Sequence, residues 1–324
     1  MKLGLVFDLR NPARWHRPVE HVYGWALDLC AEADRLGIGG LWMSEHHRFT
    51  DGYLPQPLTF AAAVAARTKR ATIGTSVMQP ALRVPAQLAE EAAVVDILSG
   101  GRLALGVGAG YRVPEFELFG VDRGQRFART ESCVVEIRRM WADGTVTPAP
   151  VQRDIPFWGG FYGPRGARLA GRLGMGLLYL SRSRFQTYAE ALVAAGHPIG
   201  TAKVSGLMPI ILADDPERAF HEIAPHLAHQ QDTYAFHEVE GTGEPVPPPV
   251  DPAALVRTGP DGQPPRFQVL TPADAAAYLR ARSDGLPVEH LLLWATIAAM
   301  PEHLAQRHVE LVCGELTTLL GATS

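Results

Sequence analysis

Short, nearly continuous apolar runs recur along the chain. They are LGLVFDL (3–9), GGLWMSE (39–45), ATIGTSV (71–77), RLALGVG (102–108), IPFWGG (155–160), GMGLLYL (174–180), KVSGLMPIIL (203–212) and VEHLLLWA (288–295). Runs apolar on both faces are what parallel strands sheathed by helices require. Stretches with helical spacing lie between them, at 21–37, 57–69, 85–101, 136–144, 165–174, 184–196, 216–230 and 271–285. Pro57 and Pro85 stand at first-turn positions, and Gly37, Gly100, Gly174 and Gly196 stand just past helix ends, the punctuation that βα units use. Eight strands alternating with eight helices predict an α/β fold, a closed (β/α)₈ TIM barrel with inserted loops. We expect one domain over 1–324.

One segment breaks the rhythm. Residues 240–266, EGTGEPVPPPVDPAALVRTGPDGQPPR, are dense in Gly and Pro, and a connection this long in a compact domain marks a functional loop or a plain surface excursion. We take it as a lid candidate. Composition narrows the partners. With 47% hydrophobic and 20% charged residues and a formal net charge of −4, the chain can fill a sizeable core and offers no basic footprint for nucleic acid or anionic lipid. The opening MKLGLVFD is too short an apolar run for a signal peptide, and LLLWATIAAM is far short of the ~20 residues of a membrane span. A cytoplasmic protein is expected. Cys30, Cys133 and Cys313 lack metal or redox spacing and are expected to be reduced and buried.

Barrels of this type carry their chemistry at the C-terminal ends of the strands, which directs attention to four stretches: EHH at 45–47, TSVMQP at 75–80, GAGY at 108–111 and GGFYGPRG at 159–166. Because strand side chains alternate, only one of His46 and His47 can face the mouth, and His46 shares its parity with Trp42 and Ser44. Adjacent histidines make a poor zinc pair, and HEIAPH at 221–226 has Pro225 between its histidines, so no metal is expected. GVGAGY lacks the third glycine of a dinucleotide loop and is followed by Pro114 rather than by a helix opening; it reads as a glycine-rich turn that lets the backbone approach a flat ligand or a phosphate, or as a plain tight turn. In GGFYGPRG, Pro164 can start a helix and Gly163 leaves its first amides uncovered. A helix start of that kind, with Arg165 in its first turn, is an anion site by geometry and dipole; a solvated face made with Arg168 and Arg172 is the bland alternative.

Taken together, EHH after the second strand, GTSVMQPALRVPAQLAEE after the third, LSGGRLALGVGAGYRVPEFELFGVD around the fourth and PFWGGFYGPRGARLAGRLGMGLL after the fifth resemble the bacterial luciferase-like family of flavin-dependent oxidoreductases. The resemblance implies a barrel, usually a homodimer, that binds a reduced flavin at the strand ends and acts on a small-molecule substrate. His46 matches the family's active-site histidine, with Glu45 beside it. Ser76 and Val77 match a non-prolyl cis peptide behind the flavin ring, Ala109, Gly110 and Tyr111 a turn beside the cofactor, and Gly160 with Gly163, Arg165 and Gly166 the loop that holds its phosphate. FMN-using relatives often carry an arginine where this chain has Ala109, so either Arg165 or Arg112 is expected to substitute or the phosphate is expected to rest mainly on backbone amides. The small residue in GAGY is familiar among F420-dependent members, whereas EHH looks more like the FMN monooxygenases. The reading adopted is a monooxygenase using dioxygen and reduced FMN from a separate flavin reductase. The alternatives are an F420-dependent reductase or dehydrogenase of the same fold and a flavin-binding barrel without turnover. Tyr53, Tyr111 and Trp294 are the expected shapers of the substrate pocket.

Overall fold

A computed structural model of the chain describes residues 1–255 and 267–322. The strands are β1 (Lys2–Phe7), β2 (Gly40–Met43), β3 (Thr72–Thr75), β4 (Leu103–Val107), β5 (Phe157–Gly159), β6 (Gly176–Leu178), β7 (Val204–Met208), β8 (Ile210–Leu212), β9 (Gln268–Leu270) and β10 (Val288–Trp294). Eight of them close a barrel in the order β1-β10-β7-β6-β5-β4-β3-β2, with every neighbouring pair parallel. The helices are α1 (Val19–Leu36), α2 (Pro57–Arg67), α3 (Pro85–Ser99), α4 (Val113–Leu118), α5 (Arg126–Ala142), α6 (Pro164–Arg172), α7 (Arg182–Ala194), α8 (Pro216–Val239), α9 (Pro272–Ser283), α10 (Glu302–Leu311) and the short α11 (Thr317–Leu320). The (β/α)₈ TIM barrel read from the apolar periodicity is therefore the fold. No helix among the described residues is long and apolar enough to cross a membrane.

Two indoles fill much of the barrel's interior. Trp42 and Trp158 are buried with the ring of His290 edge-on to both, at 5.4 and 5.9 Å. The glycines facing them follow from that bulk: a Cβ at Gly74 would stand 2.3 Å from Trp42 and one at Gly176 2.4 Å from Trp158. A plugged interior leaves the chemistry to the rim.

Three local expectations are corrected. KVSGLMPIIL is two strands, not one: pairing with β10 stops before Pro209, which has no N–H to donate, and β8 leaves the barrel to pair in parallel with β9, a strand missing from the sequence reading. GVGAGY is followed by a helix after all, because Pro114 occupies the first turn of α4, where its missing N–H costs nothing. Finally, α8 runs through Pro225 to Val239, nine residues past the expected end, and so delivers Tyr234 and His237 to the rim. Of the lid candidate, residues 240–255 form coil with turns at 240–243 and at Pro252–Ala254; residues 256–266 lie outside the described residues.

Candidate active site

The four stretches named from sequence converge at one end of the barrel. Glu45 and His46 lie two and three residues past β2; the Ser76–Val77 peptide just past β3 is cis. Val77 is wedged between neighbouring strand ends: a Cβ at Gly108 would stand 2.6 Å from its side chain and one at Gly160 2.4 Å. Gly160 thus makes room for Val77, and Gly166 for Phe161, whose Cβ would stand 2.2 Å from an added methyl. Packing alone accounts for both glycines. Gly110, at φ +75°, leaves its inner side to Gln79 and Phe116, while Ala109 is buried.

The two histidines diverge. His46 Nδ1 lies 2.8 Å from Glu115 Oε1, and His47 Nε2 lies 2.8 Å from Glu45 Oε1. Both carboxylates are ionised. Burial works to raise Glu45, yet the Arg83 guanidinium 2.9 Å away and the His47 hydrogen bond hold it below the usual range. For Glu115 the same penalty is outweighed by His46, by the His47 amide and by Arg112, which bring it down to about 2. Gln79 Nε2 at 3.0 Å is a further donor, beside Arg112 Nη1 at 3.2 Å. An ionised carboxylate can only accept, so the imidazole protons facing Glu115 and Glu45 sit on His46 Nδ1 and His47 Nε2. That leaves His46 Nε2 without a hydrogen-bond partner among the described residues, on a side chain still 12% exposed where Glu115 is fully covered.

Aromatic side chains wall this end. His46 stacks on Phe49 at 4.6 Å and meets Tyr53, Tyr111 and Tyr234 edge-on at 4.8, 5.6 and 6.0 Å. The Tyr53 hydroxyl donates to Ser44 Oγ and lies 2.9 Å from that of Tyr234. Trp294, named from sequence as a shaper of the pocket, is buried in one cluster with Trp42 and Trp158, against which Val77 packs.

Around the start of α6 the chain is cationic. Gly163 is the N-cap, with no side chain capping the helix and open space where its Cβ would be, so the amides of Arg165 and Gly166 have no helical partner. Arg126 and Arg165 lie against Phe127 at 5.3 and 4.5 Å, and Arg123 donates to the Tyr111 carbonyl at 3.1 Å. Among the described residues none of these three arginines is paired with a carboxylate. Arg126 holds its proton less tightly than an ordinary arginine, from partial burial first and then from repulsion by Arg123 and Arg165. Uncompensated positive charge at a bare helix start suits an anion. Arg112 does not belong to this group: it is fully buried against Glu115 and Glu240, so of the two substitutes for an arginine at 109 only Arg165 is placed for an anion.

Glu115 was missed from sequence, along with Phe49, Gln79 and Tyr234. A signal for Glu115 existed, since a carboxylate one residue after a first-turn proline is where a short helix favours negative charge.

A parallel barrel whose rim joins a histidine–carboxylate pair to a bare helix start defines an α/β-barrel enzyme with a site at the strand ends. The comparisons place it more closely. The model of the luciferase-like monooxygenases matches residues 1–282, and the chain belongs to that family of oxidoreductases. An F420-dependent glucose-6-phosphate dehydrogenase of Amycolatopsis mediterranei is 32% identical over 190 residues, 52% of this chain and 57% of that protein, so the chain spans little more than half the length of that curated relative. Among solved structures, monooxygenase RslO1 from Streptomyces bottropensis superposes with a TM-score of 0.80 at 24% identity, covering 98% of this chain and 99% of its own. The oxygenating constituent of 3,6-diketocamphane monooxygenase from Pseudomonas putida, in complex with FMN, gives 0.72 at 18% identity and covers 98% of both chains.

Proposed function

We propose that this oxidoreductase uses the deazaflavin F420, exchanging a hydride with a small organic substrate while His46 Nε2 exchanges the accompanying proton. The observation that carries the choice of cofactor is the trio Arg123, Arg126 and Arg165 around a helix start with no cap, combined with Ala109 where an arginine would clamp a single phosphate. F420 bears a phosphodiester followed by glutamyl carboxylates, a longer anionic tail than the FMN phosphate, and several spread charges match it better than one fork. The identity of 31–34% to F420-dependent dehydrogenases supports the same choice.

When bound, the deazaflavin supplies the hydride donor or acceptor. This chain's residues do the rest. Ala109 and the side chain of Val77 leave a smooth apolar floor at the ends of β3 and β4, suited to a flat ring. Glu115 fixes the His46 proton on Nδ1, so that Nε2 is presented to substrate as a base or, once protonated, as an acid. The phenolic wall keeps bulk water away from that nitrogen.

The second reading, oxygenation of a small substrate with reduced FMN from a reductase, is favoured by the Glu45–His46–His47 triplet. Anaerobic fluorescence titration with F420 and with reduced FMN separates the two. F420 is expected to bind and FMN not to; tight FMN binding without F420 binding would reverse the assignment. His46→Ala is expected to lower turnover by about 10²–10⁴-fold with cofactor affinity kept, and unchanged turnover would remove His46 from the chemistry.

A further inference from the structure

Arg112 is fully buried and joins three elements. Its guanidinium donates to the His47 carbonyl in the loop after β2 and, from Nη1, to Glu115 Oε1 on α4 at 3.2 Å. From Nη2 it reaches the end of α8, 2.8 Å from His237 Nδ1 and 2.7 Å from Glu240 Oε2. It also lies 4.5 Å over the Phe49 ring, the ring on which His46 stacks. Past α8 the chain stays against α4, for a Cβ at Gly241 would stand 3.0 Å from Val113.

The His237 contacts are mutually exclusive. Its Nδ1 lies 2.8 Å from both Arg112 Nη2 and Glu240 Oε2, yet a guanidinium only donates and a carboxylate only accepts. Nδ1 therefore serves one partner in each tautomer. Burial first of all, then the neighbouring Arg112 charge, disfavours the imidazolium, so the tautomer of the neutral ring decides whether Nδ1 accepts from Arg112 or donates to Glu240.

We propose that Arg112 is a positioning residue that divides its charge between Glu115 and Glu240, so that the seating of the α8 end tunes the proton affinity of the His46–Glu115 pair. The inference rests on the reading of His46 as the proton-exchanging group. The groups facing that pair are Arg112 and Gln79, the rings of Tyr53, Tyr111 and Tyr234, Arg10 behind Phe49 and, across Arg112, His237 and Glu240; Arg112, Arg10 and Glu240 carry the charge. The signs follow from Coulomb's law. Removing Arg112 strips a positive charge from Glu115, so the pair takes up protons more readily and the pH profile of turnover moves up. Neutralising Glu240 leaves Arg112 to Glu115 alone, and the profile moves down.

The experiment is the pH dependence of kcat and KM for the holoenzyme and for Arg112→Gln, Arg112→Lys and Glu240→Gln. A charge within 4–6 Å moves a titration by about one unit or more. Arg112→Gln is expected to shift the limbs upward by about one unit, Glu240→Gln downward by a smaller amount, and Arg112→Lys to stay near wild type, with KM for cofactor unchanged throughout. A merely structural arginine would lower activity without moving the profile. Glu240 is 30% exposed at its side chain and its neutral amide leaves packing intact, so this variant decides the matter even where Arg112→Gln does not fold. An unmoved profile in Glu240→Gln, or shifts of the same sign in both, overturns the proposal. If His46→Ala keeps full turnover, it is the functional reading that fails, a result distinguishable from either.

Discussion

Two flanks of the barrel mouth are built from the same parts and behave oppositely. On one, Arg112 lies between Glu115 and Glu240; on the other, Arg10 lies between Asp8 and Asp51, paired with Asp51 Oδ2 at 2.5 Å. Both guanidiniums stand against Phe49, at 4.5 and 5.7 Å. Yet Glu115 is driven down to about 2, while burial, joined by the charge of Asp51, pushes Asp8 up to about 6 despite the attraction of Arg10. The difference lies in donors. Glu115 collects His46, the His47 amide, Gln79 and Arg112; among the described residues Asp8 receives one long bond from another residue, from the Arg10 amide at 3.3 Å, and its Oδ2 has no partner. A nearby arginine does not by itself ionise a buried carboxylate. The number of hydrogen bonds to the charged form decides.

The largest expected effect follows from that count. Glu115→Gln keeps the shape and an acceptor for His46 but removes the charge that fixes its proton, and turnover is expected to fall about 10²–10⁴-fold. On the opposite flank, Asp51→Asn breaks a buried ion pair as well, so it should lower stability by several kcal/mol, on the order of 3–5. Its turnover per folded molecule should stay within a few-fold of wild type. Paired measurements of kcat and denaturant unfolding check both. Equal losses of rate in the two variants would dissolve the distinction between a working flank and a structural one.

A smaller effect should be visible in stability against pH. Asp8 in the folded chain binds its proton up to about pH 6, against an ordinary value of 3.8, so between these limits the native state holds more protons than the unfolded one. Stability from this group is then full below about pH 4 and declines as pH rises through 6. With 1.36 kcal/mol per unit, the decline amounts to about 3 kcal/mol. Glu115 has the opposite sign: its contribution is full above 4.5, the ordinary value, and is lost as pH falls toward 2. Asp8→Asn should flatten the loss between pH 4 and 6 and leave the acid limb alone, as followed by melting temperature. A slope unchanged by the substitution would mean that Asp8 is solvated or partnered after all.

The barrel was legible because parallel strands buried on both faces write themselves as apolar runs, and turns between them need Gly and Pro. The split at Pro209 was not, since KVSGLMPIIL is as apolar across the break as within either strand. Among the candidate residues, EHH, the Ser76–Val77 peptide that is cis in the structure and the α6 start were picked out by motif. The ionic hubs were not, because their partners are remote in the chain: Arg112 meets Glu240 from 128 residues away and Arg10 meets Thr233 from 223. Such pairs leave no periodicity. Asp8 was hidden differently, read as the tail of LGLVFDL, and Glu115 was lost when Pro114 was taken for a stop rather than a start.

Arg165 gives the smallest effect and the sharpest test of what separates the mouth from the helix start beside it. Unlike Arg10 and Arg112, it is exposed and rests on the Phe127 face, so its charge is screened by solvent and salt. A single charge at a helix start contributes about 0.3–1 kcal/mol, which corresponds to a change of roughly two- to five-fold in Kd. Arg165→Gln should therefore weaken F420 binding only by that factor, with kcat intact, and the difference should shrink in high salt because the interaction is exposed. Adding Arg126→Gln, whose guanidinium lies against the same ring, should deepen the loss, since the proposal sets both charges against one tail. If the double variant binds F420 as the parent does, the anion lies elsewhere and the case for a long acidic tail over a single phosphate falls with it.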